Sequence, residues 1–325
     1  MHKANSKKIY SIGVAINTYK DQRHLAKCLT PLLNSPLKPK VLVFNSSSND
    51  GTVEEAKRLG VKNFLIIPRT EMNHGMAREL SRKKLGTDIA VMMTPDAYAA
   101  DENMLEKLVK PIVDGKAQVA YARQIAHEGA NIISRFGREF NFPDKSNIRG
   151  IGDAAKYGVY TGFCSDACTA WLNSALDKIG GFRWVLSGED AVAAAMLLRK
   201  GYKIAYVAEA VVRHSHNYTP RKEFIRHFDT GMYRLQWRKT LNLGGGNDQK
   251  RGVSYAKELL LYVAKKEPLM LPTAFFQLAM GWLGYHFGQV CYHKAPDWLY
   301  KKISPADFFW NSTGYKQGKW FKPAK

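Results

Sequence analysis

Cysteine is scarce in this chain, with four residues among 325: Cys28, Cys164, Cys168 and Cys291. Four thiols at these spacings are too few for a disulfide framework, and the separation of Cys164 from Cys168 is not that of a zinc ribbon. We therefore expect unpaired thiols in a reducing compartment. The first ten residues are charged and lack the apolar run of a secretory signal, which favours a cytoplasmic location.

Acidic residues are also in short supply, because 28 Asp and Glu face 49 Lys and Arg, for a net charge of +21. The excess is densest in residues 221–325, which carry 18 basic and 7 acidic side chains. Such a surface favours an anionic partner such as nucleic acid, phospholipid or a phosphorylated substrate. No nucleic-acid recognition motif occurs, so a nucleic-acid-binding protein is the least favoured of the three.

Two common phosphate-binding patterns are missing. No Gly-x-Gly-x-x-Gly follows the first predicted strand, and no Walker-type Gly-x-x-x-x-Gly-Lys occurs. The first 120 residues nevertheless alternate short apolar runs, such as 10–17, 41–45 and 89–93, with helical patterns. This rhythm predicts an α/β fold with a mostly parallel, doubly wound sheet. Ligands of such sheets collect at the carboxyl ends of the strands.

The pattern changes twice along the rest of the chain. Residues 125–160 look irregular and aromatic-rich, and two short strands are predicted over 203–207 and 210–214. After residue 220 the sequence indicates basic, aromatic-rich helices. We therefore predict a catalytic-type α/β domain over 1–220 and a helical region over 221–325 on the membrane or acceptor side.

Residues 268–293 contain no Asp, Glu, Lys or Arg. A helix over 269–290 is long enough to cross a bilayer core, but only 14 of its 22 residues are apolar. A helix lying in the membrane plane, or packed on the protein, is favoured over a span. Neighbouring lysines and tryptophans suit a headgroup interface, while an ordinary helical subdomain with a basic exterior is the alternative.

Several polar residues occur where a doubly wound sheet would bind its ligand. Glu189 and Asp190 begin a predicted helix, where two adjacent carboxylates can differ in pKa, although acids in a first helical turn are common without any catalytic role. Asp96 follows a strand and could bind a metal ion or a sugar hydroxyl, or merely cap a helix. Arg78 could hold a phosphate or form a surface ion pair.

Six motifs in order resemble one known family: NSSSNDGT at 45–52, NHGMARE at 73–79, MTPDA at 93–97, GGF at 180–182, ED at 189–190 and AYVAEAVVRHSHNYT at 205–219. Over residues 9–240 the chain resembles the inverting family-two glycosyltransferases of GT-A fold, and within them the bacterial rhamnosyltransferase-like branch of O-antigen and surface-polysaccharide synthesis. The last motif is long and specific, whereas GGF or ED alone would indicate little.

The resemblance implies a role for each matching residue. Asp190 would be the general base, and Asp96 with His214 would hold Mg²⁺ or Mn²⁺ on the donor diphosphate. The implied donor-nucleotide residues are Thr18, Tyr19, Asn45, Asp50 and Arg78. The implied acceptor-binding residues are Phe163, Asp166, Trp184 and Glu189, with Trp184 stacking on a sugar face and core packing as the alternative for Phe163.

The resemblance also implies partners. We expect transfer of a sugar, most simply L-rhamnose from dTDP-L-rhamnose, with inversion onto a polyprenyl-diphosphate-linked oligosaccharide at the cytoplasmic side of the inner membrane, where the protein would be peripheral on an anionic surface. Asn45 replaces a base-binding Asp, and Thr94 leaves Asp96 as the one assured metal carboxylate. A UDP-sugar donor and a catalytically inactive scaffold therefore stay open as alternatives.

Overall fold

A single mixed sheet organises the chain. The computed structural model describes residues 9–244 and 248–321, so the charged stretch 1–8 lies outside the described residues. The strands are β1 (Ile12–Thr18), β2 (Lys40–Asn45), β3 (Asn63–Ile66), β4 (Ile89–Met93), β5 (Tyr98–Ala99), β6 (Val119–Ile125), β7 (Asn147–Arg149), β8 (Cys168–Leu172) and β9 (Ile204–Arg213). They follow the order β3-β2-β1-β4-β8-β6-β9-β5, with β7 paired to β9.

The first half of this sheet is parallel. β1 pairs in parallel with β2 and β4, and β2 does so with β3. β8 runs antiparallel between β4 and β6, while β6 and β9 are again parallel. The predicted α/β class with a parallel-dominated sheet and a helical C-terminal part is confirmed.

Helices cover both faces of the sheet and build the C-terminal part. They are α1 (Gln22–Leu33), α2 (Thr52–Arg58), α3 (His74–Leu85), α4 (Met104–Val113), α5 (Ile132–Asn141), α6 (Ala154–Tyr157), α7 (Asn173–Lys178), α8 (Glu189–Arg199), α9 (Pro220–Gln236), α10 (Arg238–Leu241), α11 (Asp248–Lys266), α12 (Leu271–Cys291), α13 (Asp297–Ile303), α14 (Asp307–Trp310) and α15 (Thr313–Lys316). Short 3₁₀ turns occupy 69–71, 151–153, 158–162, 268–270 and 319–321.

Local sequence explains where the principal helices begin. Asn73 caps α3 by accepting a hydrogen bond from the backbone N–H of Met76. Thr219 caps α9 in the same way, and Pro220 follows at the first helical position, where its missing N–H costs nothing. These caps fix the start of two helices that border the site described below.

Alternating side chains of the strands form two apolar layers, one on each face of the sheet. One face packs on α1 and α4 through residues such as Val14, Val91 and Leu108. The other face packs on α3, α7 and α8 through residues such as Phe44, Trp171 and Leu198. Both layers are almost fully buried, which accounts for the continuous apolar runs in the strand sequences.

Two expectations about local structure were wrong. Residues 204–213 form one strand rather than two, because the β6–β9 register shifts between Ala122 and Arg123 and a bulge absorbs the polar interruption at Glu209. The segment 125–160 is not irregular throughout, since α5 lies within it. Asn131 caps this helix, and Ile132, Ile133 and Phe136 bury its apolar face against α11 and α12.

The helices after residue 220 pack directly on the α/β part. Leu259, Val263 and Ala274 join the cluster around Phe136, and a second cluster brings Leu186 and Phe228 against Phe309 and Trp310. Among residues 9–244 and 248–321, no helix combines the length and the apolarity that crossing a membrane requires.

Candidate active site

The carboxyl ends of β1 and β2 meet through a buried hydrogen-bond network. Asn45 is fully buried; its Nδ2 donates to Thr18 Oγ1 at 3.0 Å, and its Oδ1 accepts from the Ser48 N–H at 2.8 Å. Thr18 in turn donates to the carbonyl of Phe44 at 2.7 Å. Thr18 and Asn45 are brought together as expected, but they hold the 45–48 loop closed rather than presenting their polar atoms to a cavity.

Tyr19 lies next to them and contacts an arginine that the sequence did not single out. The Arg69 guanidinium stacks 3.7 Å above the Tyr19 ring and 4.7 Å from the Phe308 ring. Arg69 also donates to Ser46 Oγ and forms an ion pair with Asp307. The C-terminal helix α14 therefore completes the surroundings of Tyr19.

Asp50 connects two helix starts in the same region. Its carboxylate accepts hydrogen bonds from the hydroxyl and N–H of Thr52 and from the backbone N–H of Gln22. It therefore joins the start of α2 to the start of α1. Its position beside the strand ends agrees with a place at the donor end, although its oxygens already have protein partners.

A candidate metal centre lies at the end of β4. The Nε2 atoms of His214 and His216 lie 3.6 and 3.5 Å from the two carboxylate oxygens of Asp96. One ligand atom from each residue falls within 4.8 Å of the others. Metal–ligand bonds of about 2.1 Å place neighbouring ligand atoms about 3 Å apart, so this cluster has the dimensions and the donors of a divalent-metal site.

Sequence reasoning named Asp96 and His214 but missed His216. The signal was present, because His216 lies two residues after His214 in the His-Ser-His segment that directly follows β9. Burial and the neighbouring His214 lower the pKa of His216 to about 4. Its imidazole is therefore neutral at pH 7 and keeps a lone pair for a metal ion.

Gln124 orients the first of these histidines. Arg138 donates to Gln124 Oε1 at 2.5 Å, and arginine has no acceptor, so the orientation of the amide is fixed. His214 Nδ1 lies 2.9 Å from the same oxygen and must carry the proton. His214 Nε2 is therefore left as the acceptor, which is the tautomer that a metal ligand needs.

The metal cluster opens into a polar cleft of about 930 Å³. Its walls combine acidic, basic and imidazole side chains: Asp21, Arg23, His24, Lys27, His127, Glu128 and Arg213 lie around Asp96, His214 and His216. The basic side chains would offset the charge of a diphosphate.

A second charged cluster is buried at the edge of another cleft, which Arg78 and Glu189 line. Arg78 Nε lies 2.7 Å from Glu189 Oε1 and 2.9 Å from Asp166 Oδ2, and all three side chains are almost fully buried. Arg78, expected to hold a phosphate or to form a surface ion pair, thus contacts two carboxylates through Nε in a buried ion pair. Burial opposes the charge of Glu189, but Arg78 and His74 hold the pKa of Glu189 below its ordinary value.

The positive charge of Arg78 does not offset the effect of burial on the pKa of Asp166. Burial, together with the carboxylates of Asp190 and Glu189, raises the pKa of Asp166 to about 8 despite Arg78. Asp166 Oδ1 accepts a hydrogen bond from the Trp171 indole. Asp166 and Glu189, which were expected to bind an acceptor, both contact Arg78, and Glu189 also lines a second cleft.

Asp190 differs from its two acidic neighbours because it is only partly buried, and with Glu189 it lines an open cleft. Its carboxylate accepts from the backbone N–H groups of Asp166, at 3.1 Å, and Ala191, at 2.7 Å. Burial and the adjacent Glu189 raise the pKa of Asp190 to about 6. A positioned carboxylate with a pKa near the working pH is suited to accept a proton.

The cleft that Asp190 faces has a volume of about 470 Å³. Phe163 lines it, with its ring stacked on Tyr160 at 4.9 Å, so the sugar-facing and the packing interpretations of Phe163 both describe part of its surroundings. Trp184 is not among its described lining residues. The Trp184 ring stacks on Phe309 at 4.4 Å and packs on Gly314, so its predicted stacking face is occupied by the C-terminal part.

Comparison with known proteins finds a matching family and two relatives. The model of the family "Glycosyl transferase family 2" matches residues 13–180. The O-antigen chain rhamnosyltransferase RfbN of Salmonella typhimurium is 33% identical over 287 residues, covering 87% of this chain and 90% of that protein. The O-antigen chain rhamnosyltransferase WbaN of Salmonella anatum is 32% identical with the same coverage.

Solved structures share the fold. The mannosyltransferase PcManGT from Pyrobaculum calidifontis, in complex with GDP-Man and Mn²⁺, superposes with a TM-score of 0.57 at 13% identity, covering 86% of this chain and 88% of that one. S. aureus TarS in complex with UDP gives a TM-score of 0.51 at 13% identity, covering 88% and 92%.

Proposed function

We propose, from the premise that this chain belongs to glycosyl transferase family 2, that it transfers L-rhamnose from dTDP-L-rhamnose to a lipid-linked oligosaccharide of O-antigen synthesis. The enzyme class follows from the family. The sugar is supported by the two relatives, whose names specify rhamnosyl transfer and the O-antigen chain. The observation that carries the proposal is the half-buried Asp190 carboxylate in an open cleft beside the Asp96–His214–His216 cluster.

The proposed reaction is one displacement at the anomeric carbon. An acceptor hydroxyl oxygen forms the new bond while the bond to the donor diphosphate breaks, and Asp190 takes the hydroxyl proton. Attack opposite the leaving group inverts the anomeric centre. Burial and the negative charge of Glu189 raise the pKa of Asp190 toward the working pH, while the backbone N–H of Asp166 and the charge of Arg78 oppose the shift.

The donor atoms at Asp96, His214 and His216 fit a divalent ion, which would neutralise charge on the departing diphosphate as a Lewis acid. Two imidazoles and one carboxylate suit Mn²⁺ better than Mg²⁺, since Mg²⁺ prefers an all-oxygen shell. We therefore propose Mn²⁺ as the preferred ion. Arg23, Lys27 and Arg213 line the same cleft and would assist with the same charge.

The basic helices after residue 220 supply the proposed acceptor side. Arg226, Tyr233 and Arg234 of α9 line the cleft that Asp190 faces. A diphosphate on a polyprenyl carrier would be attracted by these arginines. We place the protein at the cytoplasmic surface of the inner membrane as a peripheral enzyme, with 1–220 as its catalytic part.

Two measurements test the proposal. Calorimetry with dTDP, UDP and GDP, each with Mn²⁺, Mg²⁺ or chelator, should show preferred binding of dTDP and a Mn²⁺ effect. Incubation with dTDP-L-rhamnose and a short-chain polyprenyl-diphosphate oligosaccharide should then extend the acceptor by one deoxyhexose, detected by mass spectrometry. Preference for UDP would reject rhamnose while keeping the enzyme class. Lack of binding to every nucleotide would favour an inactive scaffold.

A further inference from the structure

Helix α12 buries its small side chains and exposes its large ones. Its buried face consists of Ala274, Gln277, Gly281, Gly284, Gly288 and Cys291. Its exposed face carries Phe275, Phe276, Trp282, Leu283, Phe287 and Val290, with Trp282 and Val290 each 63% exposed and Phe276 59%. Phe275 and Trp282 are seven residues apart, as are Phe276 and Leu283, and Phe287 and Val290 follow at intervals of four and three. The six side chains therefore form one apolar stripe along the outside of the helix.

Close packing against α9 causes this inversion. A β-carbon at Gly284 would collide with the Phe224 carbonyl, and one at Gly288 would collide with the Phe228 carbonyl. Gly231 of α9 similarly meets the Tyr285 carbonyl. The two backbones are in direct contact, as small residues permit, which leaves no room for α12 to turn its bulky side chains inward.

An apolar stripe of this size on a surface indicates a binding partner. We propose that the α12 stripe lies in the interfacial layer of an anionic lipid bilayer, with the helix axis parallel to the membrane plane. This proposal deepens the proposed function and rests on it for the lipid-linked nature of the acceptor. Its occupant is the bilayer, rather than a second protein chain.

Charge at the ends of the stripe favours the bilayer as that occupant. Lys265 and Lys266 precede the helix, and Lys294, Lys301 and Lys302 follow it, all of them exposed. No carboxylate occurs between residues 268 and 296. Exposed Trp298 adds an aromatic side chain at the same end as three of the lysines. Aromatic and basic residues around an apolar centre complement acyl chains and anionic headgroups together.

The position of α9 links this stripe to catalysis. One face of α9 packs on α12 through Phe224, Phe228 and Gly231, and another face carries Arg226, Thr230 and Tyr233 into the Asp190 cleft. Helices in such close contact have axes less than about 10 Å apart. The bilayer surface would therefore lie one helix layer from the acceptor cleft, within reach of a hydroxyl on a membrane-anchored oligosaccharide.

Vesicle binding by the full chain tests the proposal. The probes are sedimenting vesicles of phosphatidylglycerol with phosphatidylethanolamine, and neutral vesicles of phosphatidylcholine. Wild type should partition onto the anionic vesicles, and F276E and W282E should each lower the partition constant by about tenfold or more, because each removes a large side chain from the interface. The matched control is I66E, an equal change at a 52% exposed position on β3, which should leave partitioning unchanged.

A failure of the membrane proposal can be distinguished from a failure of the proposed glycosyltransferase function. Donor nucleotide binding and transfer to a detergent-solubilised acceptor should persist in F276E and W282E, whose thermal unfolding should match wild type. Failure of wild type to bind either vesicle, or equal binding by the α12 variants, overturns the proposal. Self-association that F276E abolishes, without vesicle binding, would assign the stripe to a second copy of the chain and also overturns it.

Discussion

Gln124 Oε1 lies 2.9 Å from Nδ1 of His214, while Gln124 Nε2 donates to Ser165 Oγ at 2.8 Å. His214 lines the metal cleft and Ser165 lines the Asp190 cleft. One amide therefore fixes a candidate metal ligand on one side and borders the acceptor cleft on the other. Gln124 therefore connects the candidate metal site with the cleft that holds the proposed general base.

Replacing Gln124 by Leu should weaken Mn²⁺ binding by about 10–100-fold, because His214 loses the acceptor that fixes its tautomer. Calorimetric titration with Mn²⁺ measures this directly. Gln124→Glu keeps an acceptor oxygen for His214 and should retain the affinity. Unchanged Mn²⁺ affinity in a folded Leu variant would show that the His214 tautomer does not depend on Gln124.

Asp190→Asn should fold normally, bind donor nucleotide, and lose about 10²–10⁴-fold in turnover, since an amide cannot accept the hydroxyl proton. Single-turnover transfer, with nucleotide binding measured in parallel, separates chemistry from binding. Asp101→Asn, an exposed acid before α4, serves as the matched control and should keep full turnover. Turnover close to wild type in Asp190→Asn would remove Asp190 from the role of base.

Activity should fall as pH drops through about 6, because burial and Glu189 raise the pKa of Asp190 to about 6 and only the ionised carboxylate is a base. A profile of kcat/KM against pH measures this limb. Glu189→Gln removes the adjacent negative charge and should move the limb toward lower pH. A limb that stays in place would have to be assigned to another group.

Arg78→Met should destabilise the fold by about 3–5 kcal/mol, because the buried, ionised carboxylate of Glu189 would lose its counter-ion. Urea unfolding at neutral pH measures the difference. Arg58→Met removes an exposed ion pair with Glu55, which solvent screens, and should cost far less than the Arg78 change. An equally small loss in both variants would mean that the buried carboxylates are neutral without Arg78.

Residue patterns predicted the parts of the site that are local in sequence. Strand ends are recognisable from apolar runs followed by polar residues, which placed Asp96 directly after a strand, at the edge where a doubly wound sheet binds its ligand. The adjacent acids at 189–190 were recognisable as a helix start. His216 was recoverable in the same way, because it lies only two residues after His214 in the segment that follows a strand.

Other features had no local signal. Arg78 and Glu189 are 111 positions apart, and nothing near either residue specifies their contact. Arg69 meets Phe308, and Trp184 meets Phe309, only because the C-terminal helices fold back onto the α/β part. These contacts depend on long-range packing, so the sequence could assign chemistry to Arg78 and Trp184 but not their partners.

The amino-acid sequence by itself determined the family, the alternation of strands and helices, and the charge of the C-terminal third, since each of these depends on residue order and short-range periodicity. Tertiary structure alone decided which carboxylate stays accessible and which way α12 faces. Glu189 and Asp190 are chemically similar neighbours, and burial with Arg78 distinguishes them. The glycines of α12 require contact with α9, and that contact turns the large apolar side chains outward.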